Sequence, residues 1–211
     1  MTASFPSTRR EVGRPRVFPD DAIFAAIDLV LRRDGYPELT LEAIANEVGC
    51  TRQALVRRFG SKRSLVLRYL EAMEGRVSRQ YEAEMEVSDS PIEVLRARLS
   101  RPWAQRFLPA TDPRSQANLL AFMLTLSLDP DLAVRFATLN DLAIQGIETL
   151  LQGAIARGEV REIDPKKTAH LLYDVWVGET VDWCLAPTID LPERLSRAFD
   201  LIVDPHRGTP A

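Results

Sequence analysis

Apolar side chains recur every three or four residues along most of this chain, the spacing of helices that bury one face. Ile23, Ala26, Ile27, Val30 and Leu31 set the first such stripe behind Asp20, a predicted N-cap, and Gly35 ends it. Four later stripes open with a capping side chain directly before a proline: Ser90-Pro91, Asp112-Pro113, Asp129-Pro130 and Asp164-Pro165. Proline at the first helical position gives up an N–H that has no partner there, so each pair predicts a helix start. Ser90 with Glu93, and Asp190 with Glu193, have the three-residue spacing of a capping box. Alternating segments of the strand type are missing, and no repeat or low-complexity run interrupts the pattern. The expectation is an all-α protein of about nine helices. After Asp164 the apolar positions Leu171, Leu172, Tyr173, Val175, Trp176, Val177, Val181, Trp183, Cys184 and Leu185 cover most of the helix circumference. A helix apolar all round is buried all round, either between subunits or in one subunit's core.

One window breaks the regular pattern. Residues 40 to 65, TLEAIANEVGCTRQALVRRFGSKRSL, hold three short helical stripes separated by Gly49 and Gly60. Leu41, Ile44, Ala45 and Val48 form the apolar face of a two-turn helix capped by Thr40. Gly49 stops it, because glycine tolerates the positive φ of a sharp inter-helix turn, and small Ala45 lets a second helix cross closely. Thr51 caps that second helix, in which Leu55, with Phe59 just beyond, faces inward. Arg52, Gln53, Val56 and Arg57 are left pointing outward, which is the arrangement of a helix-turn-helix.

The outward chemistry suits the DNA major groove: Arg reads guanine through two hydrogen bonds, Gln pairs with adenine, and Val56 meets a thymine methyl. Thr40 and Thr51 sit at helix N-termini, where a hydroxyl and free N–H groups bind phosphate. Lys62 and Arg63 follow Ser61 at the start of the next helix, where cations oppose the macrodipole unless a phosphate lies nearby. The alternative is that Arg52, Arg57, Arg58, Lys62 and Arg63 make an ordinary solvated face.

Charge bears on that choice. The net charge is −3, but residues 1 to 70 hold 12 Lys and Arg against 8 Asp and Glu, and the remainder holds 15 against 22. A basic third on an acidic body fits a polyanion-facing module joined to something else; a basic tail that aids solubility is the other reading. Arg14 and Arg16 flank Pro15 upstream of the first helix. An extended basic arm of this kind reaches into a minor groove beside the major-groove module, unless it is merely a loose tail. At 211 residues the chain is one large domain or two small ones.

Other functions find little support. Cys50 and Cys184 match no metal or redox spacing, so no metal or cofactor is expected and the cytoplasm is the default compartment. No apolar leader block opens the chain and no run of about eighteen apolar residues occurs, so neither export nor a membrane anchor is expected. With only His170 and His206, no Gly-x-Ser-x-Gly elbow and no phosphate-cradling glycine loop, catalysis is not expected.

Val48-Gly49, Leu55, Phe59 and Ser61-Lys62 resemble, residue by residue, the N-terminal domain of the TetR/AcrR-type transcriptional repressors over residues 20 to 70. In that family a helix ending in Gly precedes a reading helix, an aromatic Phe, and Ser-Lys opening a long linking helix. Between Leu55 and Phe59 the family commonly has a pair that begins with Tyr and often ends in His; here Val56, Arg57 and Arg58 stand instead, and Arg57 or Arg58 is expected to replace the Tyr contact to phosphate.

The resemblance implies a homodimeric, ligand-responsive repressor. It would bind an inverted-repeat operator in double-stranded DNA and be released by a small apolar or amphipathic effector. The expected organisation is a flexible basic arm at 1–19, a DNA-binding domain at 20–64, a helical effector-binding and dimerisation domain at 65–205, and a tail at 206–211. In such proteins the last two long helices, here about 165–186 and 191–203, form the dimer interface, which assigns Trp183, Leu195, Phe199 and Ile202 to it. The competing reading keeps Trp176 and Trp183 in the subunit core.

An effector pocket among the middle helices is implied as well, with Trp103, Phe107, Phe122, Met123, Leu126, Phe136, Tyr173 and Trp176 as candidate liners. Asn140 joins them because it falls on the face made by Leu132, Phe136, Leu139, Ala143, Ile147 and Leu150, where a polar side chain needs a partner. Arg96, Arg98, Arg101 and Arg106 form a basic cluster that an anionic effector or simple solvation explains equally well. An architectural DNA-binding protein whose C-terminal domain only dimerises is the alternative function.

Overall fold

The computed structural model describes residues 18–87, 89–101 and 112–208. Arg14, Arg16, Trp103, Arg106 and Phe107 lie outside the described residues. Among the described residues the chain forms nine α-helices: α1 (Asp20–Asp34), α2 (Leu41–Val48), α3 (Arg52–Phe59), α4 (Lys62–Val87), α5 (Pro91–Leu99), α6 (Pro113–Leu126), α7 (Pro130–Ala156), α8 (Pro165–Leu185) and α9 (Leu191–Val203). A 3-10 turn at Asp204–His206 follows, and the only β pairing among these residues is a single bridge between Val160 and Arg207.

All four pairs of capping residue and proline open helices. Ser90, Asp112, Asp129 and Asp164 each accept a backbone N–H from the first turn of α5, α6, α7 and α8. Two expected caps differ. Pro19 holds the N-cap position of α1, and Asp20 is its first helical residue, where a carboxylate still favours the positive helix end. Asp190 makes no side-chain capping bond, and Glu193 pairs with Arg197 one turn on.

The small helices α1, α2 and α3 close around Ile23, Ile27, Leu31, Ile44 and Leu55, and Leu65 of α4 completes this part of the core. Tyr69 of α4 donates its hydroxyl to the Asp28 carboxylate of α1, and its ring meets Phe24 edge-on with centroids 5.9 Å apart. Burial pushes the Asp28 carboxyl above its usual range, opposed by that hydrogen bond and by Arg32 and Arg76. Helix α4 runs unbroken through the expected domain boundary at residue 64 and packs along α7, which in turn contacts α5 and α8; α6 returns to touch α1 as well as α8. The crossing of α4 and α7 is close. A Cβ on Gly146 would lie 2.3 Å from the Tyr81 ring, which sits under the Arg98 guanidinium, 3.3 Å from the ring centroid, and donates to the Ala143 carbonyl at 3.1 Å.

The apolar circumference of α8 divides between two uses. Leu172, Trp176 and Trp183 are buried within the subunit, and Trp183 Nε1 donates to the Ile189 carbonyl at 2.7 Å. Leu171, Val181 and Leu185 are exposed. On α9, Leu195 and Phe199 are buried, Ile202 is half-buried, and Leu201 is 80% exposed. Trp183, Leu195 and Phe199, expected at a surface shared between subunits, each pack inside their own chain. Helical periodicity marks an apolar face without saying whether a neighbouring helix of the same chain already covers it.

Candidate DNA interface and effector cavity

The helix-turn-helix is built by its caps and one glycine. Thr40 Oγ1 accepts from Ala43 N at 3.0 Å and Thr51 Oγ1 from Ala54 N at 3.2 Å, so each short helix starts on a satisfied donor. Gly49 ends α2 in the left-handed region, φ 74° and ψ 32°, while the Cys50 N–H closes on the Ala45 carbonyl at 2.9 Å. Nothing lies within 4 Å of a Cβ placed there, so backbone conformation alone calls for glycine. Leu55 is the buried residue of α3, with Val56 and Phe59 half-buried.

Arg52, Gln53 and Arg57 are exposed on α3 and make no hydrogen bond or ion pair with a described residue. Thr40 and Thr51 are exposed at the two N-termini. The neighbouring cations are engaged. Arg58 donates to the Phe18 carbonyl and pairs with Asp20, tying the end of α3 to the start of α1. Lys62 donates to the Tyr36 carbonyl at 3.0 Å and lies 3.8 Å from the centroid of the Tyr36 ring; partial burial lowers its pKa. Arg63 pairs with Asp129 and Asp131 of the α6–α7 corner. The expected set of DNA-facing residues thus splits, with Arg52, Gln53 and Arg57 available and Arg58 and Lys62 held by protein.

Away from α3, a small cavity, partly open to solvent, lies between α6 and α8. Its walls are Gln116, Leu119, Leu120 and Met123 of α6 and Trp176, Val177 and Thr180 of α8. The Thr180 hydroxyl is spent on the Trp176 carbonyl at 2.8 Å, and Trp176 Nε1 donates to the Arg101 carbonyl at 3.3 Å. Met123 and Trp176, two of the candidate liners, are among these walls. Phe122 is not: it is buried on the other face of α6, with its ring 5.3 Å from that of Tyr36. Leu126, Phe136, Asn140 and Tyr173 stay outside this cavity, and Asn140 finds its partner in the protein, since Tyr173 Oη donates to Asn140 Oδ1 at 2.6 Å. Burial pushes the Tyr173 phenol up to about 12.

Helix α6 therefore has two working faces. Beside the cavity residues, Asn118 donates to the Arg32 carbonyl at 2.8 Å, and its Oδ1 lies 3.2 Å from where a Gly35 Cβ would be. One helix lines the cavity and grips the last turn of α1.

Residues 23–69, from α1 into the second turn of α4, match the family model of the bacterial regulatory proteins, tetR family. The likeness to the TetR family in sequence covers these residues. Among the described residues the fold is all-α, and solved structures share it. A TetR transcription regulator from Haloarcula marismortui shares this fold at 18% identity, with a TM-score of 0.72 over 89% of this chain and 97% of that one. A putative transcriptional regulator from Saccharomonospora viridis, solved in complex with choline, matches at 17% identity and a TM-score of 0.73, over 90% and 98%. FadR from Bacillus subtilis, solved in complex with stearoyl-CoA, matches at 17% identity and 0.67, over 88% and 98%. No curated protein matches the chain in sequence.

The cavity walls Gln116, Leu119, Leu120, Val177 and Thr180 are not among the liners that the sequence offers. Gln116, Leu119, Leu120 and Met123 have the spacing of a stripe, and a buried glutamine within it was the available signal. Two described members of the basic cluster are engaged within the protein. Arg96 makes two bonds of 2.7 Å to Asp200, and Arg98 is buried over Tyr81. Among the described residues no three His, Cys, Asp or Glu side chains gather, and no helix is long and apolar enough to cross a membrane.

Proposed function

We propose that this protein is a TetR-family regulator, a cytoplasmic homodimeric repressor without catalytic activity, that leaves an inverted-repeat operator when a small apolar or amphipathic molecule enters the α6–α8 cavity. Arg52 and Gln53 read base edges, Arg57 takes the phosphate role, and Thr40 and Thr51 bind phosphate through their helix ends. The exposed Leu171, Val181, Leu185 and Leu201, with Ile202, supply the surface for a second copy. A two-fold dimer presents one reading helix per half-site, so its operator has matching symmetry.

The observation that carries the ligand response is the double role of α6. Met123 and Leu120 face the cavity, while Asn118 and Phe122 of the same rigid helix meet Arg32 and Tyr36 of the reading domain. A molecule seated against one face shifts the other. The choline and stearoyl-CoA complexes of two structural neighbours support a ligand role for this fold.

The test is reciprocal titration. A panel of apolar and amphipathic molecules is titrated with and without operator, and a coupling of about 1–3 kcal/mol changes each affinity some 5- to 150-fold, by the same factor in both directions. Leu120→Trp fills the cavity and is expected to abolish the response while operator binding persists. Equal ligand affinities with and without operator would leave a regulator whose large domain only dimerises.

A further inference from the structure

Helix α4 opens with two cations, and both are taken up by protein. Lys62 rests on Tyr36 of the α1–α2 turn. Arg63 crosses to the body, 66 residues away in sequence, where Nε and Nη2 donate to the two oxygens of Asp129 at 2.6 and 2.9 Å and Nη2 also reaches Asp131. Asp129 is at the same time the N-cap of α7, accepting from Asp131 N at 3.1 Å and Leu132 N at 3.3 Å.

Two helix N-termini, each the positive end of a dipole, are thus brought together with a guanidinium beside them. Such an arrangement needs an anion in its midst, and Asp129 and Asp131 provide it. The Arg63 guanidinium holds the Asp129 carboxyl down at about 2, so the contact stays charged through the neutral range.

We propose that Arg63, Asp129 and Asp131 form a charge clasp that fixes the reading helix relative to the body, so that Arg63 serves operator binding as a positioning residue and not as a phosphate contact. The inference rests on DNA reading by α3. Transmission is short: α3 ends at Phe59, the Gly60 N–H bonds the Val56 carbonyl at 2.8 Å, and Leu65 N bonds Ser61 O at 3.0 Å, leaving little slack between reading helix and clasp. A phosphate contact by Arg63 would require opening a forked ion pair and leaving two carboxylates facing the DNA backbone.

Binding to operator and to unrelated DNA is measured over a salt series for the intact protein, Arg63→Gln, the Asp129→Asn/Asp131→Asn pair, and all three changes together. Asparagine keeps the cap of α7, and taking the ratio of operator to unrelated binding removes the general gain from deleting acids near DNA. The clasp predicts that this ratio falls about fivefold in the arginine variant and in the paired variant, and no further when they are combined, with the salt slope of Arg63→Gln unchanged. A slope reduced by about 0.9 per subunit in Arg63→Gln, a ratio that rises in the acid variants, or no change at all overturns it.

A second measurement does not depend on DNA. Spin labels at the exposed positions Glu42→Cys on α2 and Thr149→Cys on α7, with Cys50→Ser and Cys184→Ser, report the distance between reading domain and body within one subunit. Arg63→Gln is expected to broaden that distribution with helical content retained, and an unchanged distribution overturns the clasp. Loss of base preference in the intact protein would instead refute the DNA-reading assignment of α3.

Discussion

Arg57 and Arg58 are consecutive residues in the last turn of α3, where cations suit the negative helix end, yet only one of them is tied down. Arg58 meets the Phe18 carbonyl and Asp20, while Arg57 extends from the surface with no described partner. The same division recurs on α8 and α9 among apolar residues, where Trp183 and Phe199 are buried in the subunit and Leu185 and Leu201 are each 80% exposed. Residue type is nearly constant across each pair. What differs is whether the fold has already supplied a partner, and that decides which side chains remain for DNA or for a second copy.

The division is most sharply broken in the core. Phe199→Ala is expected to cost about 3–5 kcal/mol of stability, read as a lower denaturation midpoint, whereas Leu185→Asp with Leu201→Asp leaves that midpoint nearly unchanged and yields monomers by light scattering. Preserved dimers in the paired aspartate variant would reassign the interface.

A smaller effect separates the available side chains of α3 from its engaged one. Arg52→Ala or Gln53→Ala is expected to lose about 1–3 kcal/mol of discrimination between operator and altered sites, measured across a panel of base substitutions. Arg58→Ala should leave the order of preference intact.

Smallest is the difference in salt response. Arg57→Ala is expected to lower the slope of log affinity against log salt by about 0.9 per subunit, and Arg58→Ala to leave it unchanged. Equal slopes for the two variants would erase the distinction between them.

The helix-turn-helix was legible in the sequence because its determinants are local. Thr40, Gly49, Thr51 and Leu55 lie within one short window, and caps, turn and apolar spacing there point to one arrangement. The partners of Arg58 and Arg63 come from 38 and 66 residues away or more, and nothing in their own neighbourhood signals them. Asn140 shows the same limit. The need for a partner was readable from its place on an apolar face, but the partner's identity, Tyr173, depends on how α7 and α8 pack. Phe122 was readable as a candidate liner, but which face of α6 it occupies, toward Tyr36 and not the cavity, is a tertiary fact.

The close crossing at Gly146 makes α4 a pointer. With the Tyr81 ring lodged where a side chain would otherwise stand, the far part of α4 is pinned to α7, and the span back to Lys62, about 28 Å at 1.5 Å per residue, is held to α7 again at its other end by Arg63. A tilt of about 4° at the pin would swing the Lys62 end by about 2 Å, a distance comparable to the contacts by which base edges are told apart. Were the Arg63 contact to open, small adjustments within the body would become changes of register at the groove, with the bare α-carbon of Gly146 as the bearing on which they turn.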